Sequence, residues 1–140
     1  MKVKFSNGSL LELIQVINKF SDCTGKLAYV LNKSKRRMLE EAEDFDKVRE
    51  GLIRKYGEED KDGNIAIKPG TENYKNFLNE IIPISQEVVE IDILQLTKEE
   101  YDKCDYYSDN VTLRDYELIE SIFVSREESN EEEKEEKAES

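Results

Sequence analysis

The chain has 140 residues but no His, no Trp, only two Cys and only two Pro. Without His there is no imidazole acid or base and no His-ligated zinc. Cys23 and Cys104 are single and distant in sequence, which excludes a disulfide framework and reads as a reduced pair without a functional role. No apolar run approaches the roughly 18 residues that span a bilayer. The opening Met1-Lys2-Val3-Lys4-Phe5 lacks the apolar stretch of a signal peptide. A cytoplasmic protein with no membrane contact is the expectation. There is also no Gly-rich phosphate loop and no nucleophile elbow, and a Ser or Cys nucleophile would need Lys as its base. No enzyme is expected, and no cofactor, metal or catalytic residue is assigned.

What the chain has in excess is negative charge: 33 Asp and Glu against 21 Lys and Arg, a formal net charge of -12. Its 37% of hydrophobic residues suffice for a core in a chain of this length, without metal or disulfide staples. The sharpest boundary lies near Ser125. Residues 125–140 read SREESNEEEKEEKAES, with eight Glu and nothing apolar larger than Ala138, so they can bury nothing and are expected to be disordered. That tail carries -5 and leaves -7 on residues 1–124, so the body is acidic too. With no repeat and no linker, the organisation is one domain over 1–124 and a Glu-rich tail over 125–140.

Periodicity predicts an α+β domain dominated by helices. A strand is expected at 2–5, a turn at Asn7-Gly8, and a helix capped by Ser9 and Glu12 that runs to Phe20 with Leu10, Leu13, Ile14 and Ile17 inward. A long helix follows from Thr24 to Tyr56. Its stripe of Leu27, Leu31, Met38, Ala42, Phe45, Val48 and Leu52 is the strongest periodic signal in the chain. Glu43 with Lys47 and Glu50 with Arg54 make i, i+4 pairs on its outer side. Asp62-Gly63 marks a hairpin, Thr71 caps a helix that Pro83 should end, and Val89, Ile91 and Ile93 alternate as a half-buried strand that pairs with the first strand or the hairpin. Thr97 and Glu100 form a capping box. Thr112 caps a last helix with Leu113, Tyr116, Ile119 and Phe123 on one face.

Three patterns compete for a functional reading. Glu58-x-Asp60-x-Asp62-Gly63-Asn64-Ile65 imitates the start of a calcium loop, but the twelfth position is Pro69, which supplies no bidentate carboxylate, so an acidic hairpin is expected instead. Lys33, Lys35, Arg36 and Arg37, with Lys26 nearby, are the one basic cluster. Glu40 and Glu41 follow at i+4 to neutralise Arg36 and Arg37, and the acidic body repels a polyanion, so no direct nucleic-acid contact is expected. The acids point elsewhere. Glu40, Glu41, Glu43, Asp44 and Asp46 on the long helix, with Glu90, Asp92, Glu99 and Glu100, offer carboxylates at phosphate-like spacings to a basic cleft. Tyr101, Tyr106 and Tyr107 form an aromatic patch that suits either a protein interface or the core.

Met1-Lys2-Val3-Lys4-Phe5-Ser6-Asn7, the long helix leading to Lys61-Asp62-Gly63-Asn64, and Glu90-Ile91-Asp92-Ile93 before Leu96-Thr97 resemble a functionally uncharacterised family of small phage and prophage proteins of Gram-positive bacteria. The resemblance covers most of residues 1–124 and supplies no catalytic residues. It implies an accessory protein acting inside an infected cell, in the host cytoplasm. Charge and resemblance together suggest a binding protein whose acidic surface occupies a basic host nucleic-acid-handling or defence complex, in the manner of anti-CRISPR proteins. The alternative is a virion structural or assembly protein that self-associates, as a homodimer or larger, through the helix stripe and the Tyr patch.

Overall fold

Alternating hydrophobicity in two segments far apart in the chain, around residues 4 and 90, finds its reason in one antiparallel ribbon. A computed structural model describes residues 1–125; residues 126–140, which make up nearly all of the expected tail, lie outside it. Strand β1 (Lys2–Ser6) pairs with β4 (Val88–Asp92) in the register Val3 opposite Ile91 and Phe5 opposite Val89. The pairing extends by one residue, where Ile93 N donates to Met1 O at 2.8 Å. Lys2, Lys4, Glu90 and Asp92 are exposed, while Phe5, Ile91 and Ile93 are buried, as the two-residue period of a strand requires.

Helix α1 (Asn7–Asn18) starts without the expected turn. Ser6, still extended, caps it by accepting from Ser9 N, so Ser6 and not Ser9 is the N-cap. The earlier start is fixed from a distance. Asn7 is buried, its amide N donates to Glu87 O and its Nδ2 to Ile84 O, both at 2.9 Å. Tertiary bonds that satisfy a buried amide outweigh the local turn preference of Asn-Gly.

Helix α2 (Gly25–Tyr56) is the backbone of the molecule, about 48 Å long at 1.5 Å per residue. Leu27, Leu31, Met38, Ala42 and Phe45 are buried as the stripe demands. Val48 is not: it is 42% exposed, while Leu52 beyond it is half-buried. Gly57 stops the helix where a side chain would not fit, since a Cβ there would lie 2.5 Å from Ile53 O and 2.6 Å from Ile65 Cγ2. The hairpin of β2 (Glu58–Glu59) and β3 (Ile65–Ala66) turns at Gly63, whose φ of +84° suits glycine.

Helix α3 (Glu72–Ser85), capped by Thr71, packs along the second half of α2 and continues through Pro83. Proline removes a donor, but here it is exposed and two residues from the end. Gln86 N to Ile82 O closes the last turn, and Asn7 holds the Ile84 carbonyl. Short α4 (Lys98–Asp102) and α5 (Leu113–Phe123) both open with complete capping boxes, from Thr97 with Glu100 and Thr112 with Asp115. On α5, Ile119 and Phe123 are buried and Tyr116 is half-buried, whereas Leu113, the first helical residue, is 75% exposed and leaves the expected face. Leu96 and Val124 form a parallel bridge that ties the end of the domain to the residues following β4. The fold is therefore α+β and helix-dominated, with one core shared by α1, α2, α5 and the ribbon. Among the described residues no helix is long and apolar enough to cross a membrane.

Candidate functional site

The nine acids separate into two groups. Glu43 pairs with Lys47 at 3.0 Å, Asp46 with Arg49 at 2.8 Å, Glu99 with Lys103 at 3.2 Å and Glu90 with Lys2 at 3.7 Å. Asp92 pairs with the N-terminal ammonium at 2.9 Å, and Glu100 with Lys26. These six are engaged within the chain. Glu40, Glu41 and Asp44 are exposed on α2 and stand in no ion pair among the described residues. Glu40 and Asp44 are one turn apart, about 6 Å along the axis.

The basic cluster does not neutralise them. Arg37 Nη1 donates to Asp92 O at 2.7 Å across to the ribbon, and Lys33 lies over the Tyr29 ring at 5.5 Å from its centroid. The expected pairing of Arg36 with Glu40 and of Arg37 with Glu41 is absent, and so is that of Glu50 with Arg54. The reason for Arg37 is geometric: the outward carbonyl of β4 is a fixed acceptor, whereas a helix-surface carboxylate must be immobilised first.

Two of the engaged acids, Glu100 and Asp92, bind their protons more weakly than usual. The Lys26 ammonium and the Thr97 backbone N–H hold Glu100 down to about 2. Hydrogen bonding and attraction from the N-terminal ammonium lower Asp92. Asp115, not singled out by the sequence, is lowered by its bond from Thr112 N and by Lys19 Nζ at 3.0 Å. All three are structural clasps: Lys26 with Glu100 ties α2 to α4, and Lys19 with Asp115 ties the end of α1 to α5.

The Tyr patch splits as well. Tyr106 packs against Phe20 with ring centroids 5.5 Å apart, and Tyr116 meets Phe20 edge-on at 5.6 Å. Tyr116 OH accepts from Ser108 N and donates to Tyr106 O, closing the loop on itself. Asp105 makes the turn at a φ of 26°, the one non-glycine residue at positive φ among those described. Tyr101 is half-buried beside them, and burial raises its phenol above the usual range. Tyr101 and Tyr106 thus belong to the body; only Tyr107, 79% exposed, faces outward. Cys104 lines the same small cleft as Tyr101 and Tyr106, and burial and the nearby Cys104 push the Cys23 thiol up, which makes it a poor nucleophile.

In the calcium-like segment, Asp60 Oδ1 accepts from Asp62 N and Asn64 N, both at 2.9 Å, so this carboxylate is spent on its own turn. Among the described residues no three potential ligands converge on one point.

One cavity went unseen in the sequence. It is a groove of about 420 Å³ between α1 and α2, floored by Leu11, Ile14, Leu39 and Ala42. Asp46 and Arg49 form one rim. Its one sequence signal was Leu39, an apolar residue off the buried stripe and 48% exposed. Set against known proteins, the chain matches no family model, no curated protein and no solved structure.

Proposed function

We propose that the protein is a non-enzymatic binder that presents the outer face of α2 to a basic protein surface. The observation that carries this reading is the trio Glu40, Glu41 and Asp44, exposed on one helix and in no close ion pair among the described residues. Unpaired carboxylates cost little to bring against Lys and Arg, whereas the six engaged acids would first have to give up their partners. The body charge of -7 adds long-range attraction for a basic cleft. A host nucleic-acid-handling or defence complex has such a cleft, and the resemblance to small phage proteins supports an encounter inside an infected cell. Self-association through the α2 stripe is the weaker alternative, since Leu27, Leu31, Met38, Ala42 and Phe45 already face this chain's own core.

The test is affinity purification from nuclease-treated host lysate, eluted with a salt gradient. A basic nucleic-acid-binding complex released by moderate salt is expected, and the triple variant Glu40→Lys, Glu41→Lys, Asp44→Lys should lose it. The control Glu99→Lys should retain it. Equal recovery by the triple variant, or recovery of the protein alone, refutes the reading.

A further inference from the structure

We propose that the small cleft lined by Tyr101, Tyr106 and Tyr116 is a seat for the ammonium group of a lysine side chain on a partner protein. The site is separate from the acidic face of α2: Leu27, where α2 lines the cleft, precedes Glu40 by about 20 Å along the helix axis. Elements distant in the chain build it. Phe20 lies just past α1, Tyr101 and Asp102 are on α4, Asp105 and Tyr106 follow α4, and Tyr116 comes from α5. Four rings therefore line a space of about 220 Å³. That is below the roughly 300–1,000 Å³ of sites that enclose a whole small ligand, and suits one side-chain head. A cation seated against any of these rings falls within the about 6 Å over which a ring quadrupole attracts it.

Ring geometry and charge both select the occupant. Phe20 meets Tyr106 at an interplanar angle of 34° and Tyr116 at 88°, so these walls offer no parallel faces. A planar guanidinium gains most by stacking flat, whereas a compact ammonium accepts rings at any tilt. Asp102 and Asp105 line the same cleft, are exposed, and their carboxylates stand in no ion pair or hydrogen bond among the described residues. The neighbouring cations are already engaged: Lys19 with Asp115, Lys26 with Glu100 and Lys103 with Glu99. A Leu would fill the ring walls and leave the two acids unmet, and a carboxylate would be repelled. A Lys lays its apolar stem along the rings and brings its charge to the acids without displacing a partner.

The probes are three short peptides, acetyl-Gly-Ser-Xaa-Ser-Gly-amide with lysine, norleucine or arginine at Xaa, titrated into the full chain at about 0.15 M salt and followed by NMR. Norleucine keeps the stem and removes the charge. Ring resonances of Tyr101, Tyr106 and Tyr116 should move with the lysine peptide, which should bind about tenfold more tightly than the norleucine peptide and more tightly than the arginine one. Asp102→Asn with Asp105→Asn, both at exposed positions and with Asn tolerant of the Asp105 backbone, should weaken the lysine peptide about fivefold and leave the norleucine peptide unchanged. Tyr101→Leu should weaken the lysine peptide too; its melt reports whether the fold survives, and the double Asn variant decides the matter if it does not. Reversal of Glu40, Glu41 and Asp44 should leave the titration unchanged, since attraction beyond about 8 Å is screened at this salt. A lysine peptide that binds no better than norleucine or arginine, moves none of the three rings, or is indifferent to the double Asn variant overturns the proposal. So does one that loses its binding to the α2 reversal, because the peptide would then sit on the acidic face instead. The lysate experiment stands apart from all of these, so the cleft and the acidic face can fail independently.

Discussion

Replacing Asn7 tests whether one buried amide holds three elements together. Asn7 Nδ2 donates to Ile84 O at 2.9 Å, joining the first residue of α1 to the last turn of α3 just beyond Pro83. Asn7→Ala removes this donor and leaves the carbonyl with its local backbone bond from Glu87 N alone, a loss of about 1–1.5 kcal/mol. For a domain of this size that lowers the melting temperature by about 4–8 °C. Asn7→Asp sets two effects against each other. A carboxylate in the first helical turn gains about 0.3–1 kcal/mol from the helix dipole, but facing a carbonyl oxygen it loses the bond and adds repulsion, about 1–3 kcal/mol. The loss wins, so Asp should be no better than Ala at neutral pH. The carboxyl would have a raised folded-state pKa, so stability should recover as the pH falls and the protonated acid donates to Ile84 O. Urea unfolding at pH 7 and pH 4 measures this, and amide exchange at Gln86 and Glu87 should speed up in both variants. An Asn7→Asp protein as stable as the parent at pH 7 would show that the dipole outweighs the bond and that the clasp is incidental.

Two further outcomes follow from single side chains. Glu100 is held down to about 2 by Lys26 and the Thr97 cap, so the unfolded chain binds its proton first and stability falls with acid. Its contribution is whole above about pH 4.5 and is lost as the pH drops towards about 2; Glu100→Gln should remove that part of the acid dependence in thermal melts between about pH 5 and pH 2, and an unchanged curve would refute the clasp. Ser34 is fully buried on α2 and its hydroxyl has no partner among the described residues. Ser34→Ala should therefore raise stability by about 0.5–1 kcal/mol through helix propensity and relief of an unpaired hydroxyl; a destabilised variant would show that the hydroxyl carries a bond.

Much of the fold was legible because it is local. Thr71, Thr97 and Thr112 cap helices through bonds spanning three residues, and the α2 stripe and the Val89, Ile91, Ile93 alternation report the periods of single elements. Less of the site was legible. The nine acids could be named, but not divided into the engaged six and the free Glu40, Glu41 and Asp44, because Lys26, Lys2 and the N-terminus reach their partners across the fold.

By itself, then, the sequence determined the helix-dominated class, the caps of α3, α4 and α5, most of the buried face of α2 and the acidic balance, all of which depend on neighbours within a few residues or on composition alone. Tertiary structure decided the rest. It began α1 at Asn7 rather than after a turn, because Glu87 O and Ile84 O accept from Asn7, and α3 runs on through an exposed Pro83 to the carbonyl that Asn7 Nδ2 reaches. It took Tyr101 and Tyr106 into the body, Tyr106 against Phe20, and left Tyr107 outside. It opened the groove beside Leu39 by laying α1 against α2, and no spacing within either helix records that.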